Sequence, residues 1–321
     1  MQNSVLTALL LPKIGLIGYG YWGSRIAQIV ARKGFDIDTI YTSKKILPNA
    51  INCHKILSIQ EISVQSINDL THLFVLTGPP YHHDVLKKLA KSKPIEDLPL
   101  IWVEKPFYLS RFNLKHNLNF KKRLYVDYPY SPENAAPSFM RIANKYSRHS
   151  EIEINVFSRY NKLRDFDIVF DFIPHIVPLM SFFVNDLESL KYSNWRIKEI
   201  PTLCPETGVK RLTTVYAFEA ISESDDNSLL LRFGINNPQP SFLTFKKRSD
   251  YPSSVASFTH DQKSSCFMHL GDAFSAPVDQ NVRRFLAANP RDCPTWTDPS
   301  FHELIFSISC AVKFGFDQIK L

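Results

Sequence analysis

Chemistry in this chain starts with three glycines and the residues between them. GYGYWG at 18–23 directly follows the apolar run KIGLIG at 13–18. Gly18 allows a tight turn, Gly20 lets backbone approach a pyrophosphate, and Gly23 lets a helix pack closely on a strand. The anion would sit on the N-terminus of the following helix, where free amides and the helix dipole favour negative charge. A bare G-x-G-x-x-G is weak evidence, and a glycine turn that binds nothing is the alternative. This one follows a strand, opens a helix and begins a strand–helix–strand pattern, the context expected of dinucleotide binding. Gly18, Gly20, Tyr21, Trp22 and Gly23 are therefore candidate cofactor-binding residues.

The end of the second strand selects between cofactors. An acidic residue there would hold the ribose 2′-hydroxyl of NAD, and it is expected about 20 residues past the glycines. That position falls on Thr42-Ser43-Lys44-Lys45, and no carboxylate is present between Asp38 and these residues. Hydroxyls and lysines suit a 2′-phosphate, so NADP is favoured over NAD, with Thr42, Ser43 and Lys44 as its contacts. The alternative is that the lysines point to water.

Two further segments complete a recognisable pattern. TGPPYHHD lies at 77–84, and after a helix VEKP lies at 103–106. With the glycine loop they stand in the order and spacing of the glucose–fructose oxidoreductase and inositol dehydrogenase family, which the N-terminal half resembles throughout. The resemblance implies that Thr77, Pro79, His83, Glu104 and Lys105 lie against the cofactor, His83 fitting the family spacing better than His82. It also implies a cis Lys105–Pro106 bond.

In the C-terminal half the resemblance rests on DFIPH at 171–175. The family carries an Asp and a His four residues apart at a helix start, and residues i and i+4 share a helix face. Asp171 and His175, with Lys105, are thereby implied to be the catalytic set. Oxidising a secondary alcohol needs a base as hydride leaves, reducing a ketone needs an acid, and a histidine serves both. Lys105 would polarise the substrate oxygen or orient the base, and Asp171 would position His175. The plainer alternatives are a turn lysine at Lys105, an N-cap at Asp171 and an ordinary helix residue at His175. A metal site at His82, His83 and His175 is not expected, because no carboxylate cluster accompanies them.

The implied substrate is a small molecule: a sugar, polyol or nucleotide-linked sugar. The implied second domain is α/β with a large open sheet, through which a homo-oligomer is expected. The chain also departs from the family. NKLRDFDIVF approaches the Asp without glycine, Pro178 stands where many members have a second Asp, and VDYPYSP replaces an arginine-bearing motif. Two rival readings follow: a dinucleotide-sensing regulator or scaffold without turnover, and a reductase of an imine or a non-sugar carbonyl such as a tetrapyrrole.

The elements that must position these residues are legible in outline. Apolar runs at 13–18, 72–77 and 100–103 read as buried strands, DIDTIYT at 36–42 as the second strand, and 21–33 and 82–91 as helices. Strands alternating with helices imply a doubly wound parallel sheet, a Rossmann domain over 1–127 closed by a strand at 124–127. From 128 to 321 the texture changes. Residues 151–158, 209–221 and 228–235 read as strands with few intervening helices, hence a mostly antiparallel sheet, and 278–288 and 301–319 read as late helices.

Composition bounds the rest. The chain has 321 residues, 44% hydrophobic and 21% charged, which fits two globular domains and excludes a mostly disordered chain. The net charge of +7 comes from basic residues spread along the chain, without the basic-aromatic interleaving of a nucleic-acid surface. Five separated cysteines without a CxxC argue against a disulfide framework and fit a reducing, cytoplasmic compartment. The apolar stretch Val5–Leu11 is short and lacks a basic leader, unlike a signal peptide. No membrane partner is expected.

Overall fold

A computed structural model describes residues 11–43, 52–105, 120, 123–145, 150–156, 168–184, 187, 190–203, 210–224, 227–235, 242–247, 265–269, 274, 276–288 and 299–314. The chain divides into two compact units. The first takes residues 1–127 and 281–298, and the second takes 128–280 and 299–321.

The first unit is built on six parallel strands in the order β3-β2-β1-β4-β5-β6. They are β1 (Ile14–Ile17), β2 (Ile37–Tyr41), β3 (Cys53–Leu57), β4 (His72–Val75), β5 (Leu100–Val103) and β6 (Leu124–Val126). Strands β1, β4, β5 and β6 are buried at every position, as expected of parallel strands covered on both faces. Helix α1 (Tyr21–Arg32) buries Ile26, Ala27, Ile29 and Val30, and Gly34 stops it with a φ of 81°. The short α2 (Val64–Ile67) is capped by Ser63. Helix α3 (Pro79–Ser92) opens on two prolines, which cost nothing in a first turn whose amides lack intrahelical partners.

The sheet of the second unit runs β12-β11-β7-β10-β9-β8. Its strands are β7 (Ser150–Val156), β8 (Lys191–Leu203), β9 (Lys210–Ser224), β10 (Asn227–Ile235), β11 (Phe242–Lys247) and β12 (Ser265–His269). Every pair is antiparallel except β7 with β10. In β7, Ile152 and Ile154 are buried while Glu151 and Glu153 are partly exposed, the alternation of a half-buried strand. On that outer side Arg232 of β10 bridges Glu151 of β7 and Glu219 of β9, at 2.5 and 2.8 Å.

The unit also holds α4 (Pro137–Lys145), α5 (Ile168–Met180) and α7 (Pro299–Phe314). Helix α5 packs on β7, β10 and α7. It buries residues on nearly every side, including Val169, Phe172, Ile173, Ile176 and Val177. Burial holds α5 helical although Pro174 and Pro178 inside it each remove a backbone donor.

Helix α6 (Pro277–Ala287) lies late in sequence, and its residues from Asn281 onward belong to the first unit. Phe285, 1% exposed, meets Phe74, His72, Trp102 and Tyr125 at ring-centroid distances of 4.8, 5.1, 5.5 and 5.7 Å. This aromatic plug covers β4, β5 and β6 together. Phe285→Ala should cost about 3–5 kcal/mol of stability, from lost burial plus the cavity left behind. Denaturant unfolding checks it, and a loss below about 1 kcal/mol would show that the plug is dispensable.

Candidate functional site

Each glycine of the loop does a separate job. Gly18 has a φ of 96°, and a Cβ there would stand 2.8 Å from the Leu76 and Thr77 backbone. A Cβ on Gly23 would lie 2.3 Å from the Gly18 carbonyl oxygen, so this position fixes how closely α1 meets the loop. A Cβ on Gly20 would meet nothing within 4 Å. Gly20 is also the N-cap of α1; no side chain caps the helix there and no acidic residue stands in its first turn. The result is an open, backbone-lined helix N-terminus suited to an anion. Tyr21 is exposed and meets Trp22 edge-on at 5.7 Å, and the Arg25 guanidinium lies 5.3 Å from the Trp22 ring centre.

The turn after β4 abuts this loop through Gly18. Thr77 Oγ1 is buried with no hydrogen-bond partner among the described residues. An orphaned hydroxyl beside an open anion site is what a ligand-binding turn leaves for its ligand. Pro79 occupies the first position of α3. His82 is fully buried, its Nε2 donating to the Thr77 carbonyl at 2.8 Å, and so braces the turn from within. His83 is half-buried.

At the end of β2, Thr42 is buried and Ser43 is exposed, while Lys44 and Lys45 lie outside the described residues. The nearest carboxylate, Asp38, accepts from the Ile14 amide at 2.8 Å and is committed to the sheet. The residues present therefore fit a dinucleotide: open backbone amides for phosphate, a free hydroxyl, and no described acidic side chain at the strand end.

Glu104 and Lys105 follow β5 and are 7% and 8% exposed; Pro106 and the expected cis bond lie outside the described residues. Beside them, past the end of β6, stands Asp127. It is 1% exposed, Oδ1 accepts from Asn281 Nδ2 at 2.7 Å, and Oδ2 is buried with no hydrogen-bond partner among the described residues. Burial pushes its pKa from the ordinary 3.8 up to about 7, against the pull of the Asn281 hydrogen bond and the Lys105 charge. Residue-by-residue reading missed Asp127, taking it as the last residue of a strand. A carboxylate beside a lysine at a parallel-sheet strand end was the available signal.

Asp171 and His175 belong to the second unit, one turn apart on α5. Asp171 is 3% exposed in the first turn and His175 is half-buried. The His175 ring lies 5.1 Å from Tyr130 and 6.3 Å from Phe172. Burial pushes the Tyr130 phenol pKa up, so this ring stays neutral against the histidine. Tyr128 shares a 2.7 Å hydrogen bond with His302 Nδ1, and burial pushes its phenol well up too. Neither tyrosine carried a sequence signal beyond its place in VDYPYSP.

Among the described residues, the buried acidic and basic side chains are Glu104, Lys105, Asp127 and Asp171, with His72, His82 and His302. Buried ionisable groups gather where charge is used. Among the described residues no group of three or more His, Cys, Asp or Glu is placed to hold a metal ion. None of the described helices is long and apolar enough to cross a membrane.

Asp127 makes stability depend on pH. The folded protein holds this proton more tightly than the unfolded chain. Its contribution is complete below about pH 4 and is lost as pH rises through about 7. Between pH 5 and pH 8 the wild type should lose about 2–3 kcal/mol relative to Asp127→Asn. Parallel pH profiles in denaturant unfolding would contradict this.

No family model and no curated protein matches the sequence. Solved structures do match over nearly the whole chain. One is a myo-inositol dehydrogenase from Corynebacterium glutamicum, with a TM-score of 0.61, 13% identity, and 95% of this chain and 98% of that one covered. Another is the UDP-N-acetylglucosamine 3-dehydrogenase GnnA from Acidithiobacillus ferrooxidans, with a TM-score of 0.62, 12% identity, and 96% and 98% covered. A third is the WlbA dehydrogenase from Thermus thermophilus in complex with NAD and UDP-GlcNAcA, with a TM-score of 0.57, 11% identity, and 94% of both chains covered. The chain thus carries the fold of oxidoreductases of the glucose–fructose oxidoreductase and inositol dehydrogenase type.

Proposed function

We propose that this protein is an NAD(P)-dependent oxidoreductase acting on a secondary alcohol or ketone carbon of a sugar, polyol or nucleotide-linked sugar. The observation that carries the reading is the open space at Gly20, on an uncapped helix N-terminus beside the orphaned Thr77 hydroxyl. Similar solved structures named as dehydrogenases of inositol and of a UDP-sugar support the substrate class.

When bound, the nicotinamide supplies the hydride acceptor or donor. The chain's own residues do the remainder. Backbone amides at the start of α1 hold the pyrophosphate, and Thr77 Oγ1 hydrogen-bonds the ligand. Lys105 polarises the substrate oxygen. His175 takes the hydroxyl proton in oxidation and returns it in reduction, with Asp171 orienting its ring. Thr42, Ser43 and Lys44 contact the adenosine ribose, and NADP is the preferred form because Asp38 is already committed to the Ile14 amide. The second sheet serves homo-oligomer formation.

Gly20→Val should leave the protein folded, since its side chain meets open space, yet abolish dinucleotide binding. NADPH should quench intrinsic fluorescence at lower concentration than NADH, and Lys44→Glu should reverse that order. Wild-type affinity in folded Gly20→Val would reduce the loop to a turn.

Turnover is tested with a panel of sugars, polyols and nucleotide-sugars. Lys105→Met and His175→Ala should each lose about a hundred- to ten-thousand-fold in rate, the usual worth of general acid–base help, with cofactor affinity little changed. Asp171→Asn should lose less. Tight dinucleotide binding without turnover of any alcohol or ketone would favour a cofactor-sensing regulator.

A further inference from the structure

We propose that Asp127 is a positioning residue for Lys105, its buried carboxylate holding the neighbouring ammonium charged and in place at the strand ends. This rests on the reading of Lys105 as a group that acts on substrate.

The placement follows from the sheet. Strands β5 and β6 are parallel with Val103 opposite Val126, and the Asp127 amide donates to the Val103 carbonyl at 3.1 Å. Lys105, next after the buried Glu104, and Asp127 therefore lie just beyond two adjacent strand ends, where open α/β sheets bind their ligands. Asn281 of α6 holds one carboxylate oxygen through its Nδ2. Its own Oδ1 accepts from Arg284 Nη1 at 3.2 Å, which sets which way round the amide sits. The other carboxylate oxygen, Oδ2, is buried and takes no hydrogen bond from the described residues, Lys105 included, so the carboxyl and the ammonium act on each other through space.

Among the described residues, these groups act on Asp127. Lys105 acts on it from the end of β5, and Asn281 faces it from α6, with Arg284 behind Asn281. Of these, Lys105 is the cation whose charge acts on the carboxyl. A carboxylate this buried is costly unless its charge is used or compensated. If the site needed only a partner for Asn281, a neutral amide or hydroxyl would serve. Below about pH 7 Asp127 takes up a proton and releases its hold, so the pair carries its own acid limb.

The first test needs no substrate. In uniformly 13C-labelled protein, the Asp127 side-chain carboxyl is titrated by NMR in the wild type and in Lys105→Met. Removing the ammonium should raise the Asp127 midpoint by about half a pH unit or more. An unmoved midpoint in folded Lys105→Met overturns the pairing.

The second test uses Asp127→Asn, which keeps an oxygen for Asn281 and removes the charge. With a substrate from the panel above, kcat should fall about tenfold or more with KM and dinucleotide affinity nearly unchanged, and the acid limb near pH 7 should vanish. Wild-type kcat and pH profile in Asp127→Asn overturn the positioning role. If Lys105→Met itself turns over normally while the carboxyl midpoint moves, the functional reading of Lys105 fails and the pairing stands.

Discussion

The hydrogen bond from Asn281 to Asp127 joins residues 154 positions apart and ties the closing helix of the first unit to the edge of its sheet. Phe285, one turn further along the same helix, seats against rings from β4, β5 and β6. The two contacts are complementary. The aromatic plug supplies non-directional burial, while the amide supplies direction, since Asn281 can meet Asp127 only at one helix rotation. The first unit is therefore incomplete until the chain has run through residues 128–280 and returned. Asp127 owes its hydrogen-bonded partner to that return.

The two ends of the proposed ligand site are built on different principles. The phosphate end is made of backbone. Its specificity comes from where a Cβ cannot stand, at Gly18 and Gly23, and where one is missing without steric need, at Gly20. Backbone amides of a helix N-terminus favour an anion without bringing a charge that must itself be desolvated. The reactive end is made of side chains, and there the fold accepts buried ions. Their orientation depends on partners such as Asn281, so it is more exposed to distant substitutions than the glycine loop is.

That division also decides what could be read from sequence. The glycine loop and strands β1, β4, β5 and β6 are legible because a buried parallel strand is a continuous apolar run and each glycine has a local reason, while β2, IDTIY, is legible from its place after the first helix. Strand β3 is not, because CHKIL at a sheet edge is half polar, with His54, Lys55 and Ile56 exposed. Strands β8, β11 and β12 were likewise not read as elements. The second sheet has one parallel pair, β7 with β10, which no local pattern announces. The return of residues 281–298 to the first unit was invisible for the same reason: Phe285 and Asn281 look like ordinary helix residues until their partners are known. His82 and His83 illustrate the limit within one motif. Adjacent and identical in type, they differ in that one faces the Thr77 carbonyl from a buried position and the other is half-buried.

Burial sorts the ionisable groups of this protein more sharply than their type does. Glu104 and Lys105 come from the Glu-Lys-Pro segment, Asp171 from DFIPH, and Asp127 from the stretch VDYPYSP that departs from the family pattern. Removing a charge from water costs several kcal/mol even after relaxation, and an apolar side chain of like volume would often serve stability better. Phosphate binding at the proposed site would need no such charges, because neutral amides would provide it. The proposed reaction would need them, because a proton moves as hydride moves and groups that change protonation near working pH carry it best. Asp127, its pKa raised by burial to about 7 and its carboxyl held by a helix from far along the chain, would set the charge beside Lys105 rather than carry that proton, and it lies outside the residues that a motif search selects. On the proposed pairing, the departure at VDYPYSP would be a different means of controlling the same lysine rather than erosion of the site.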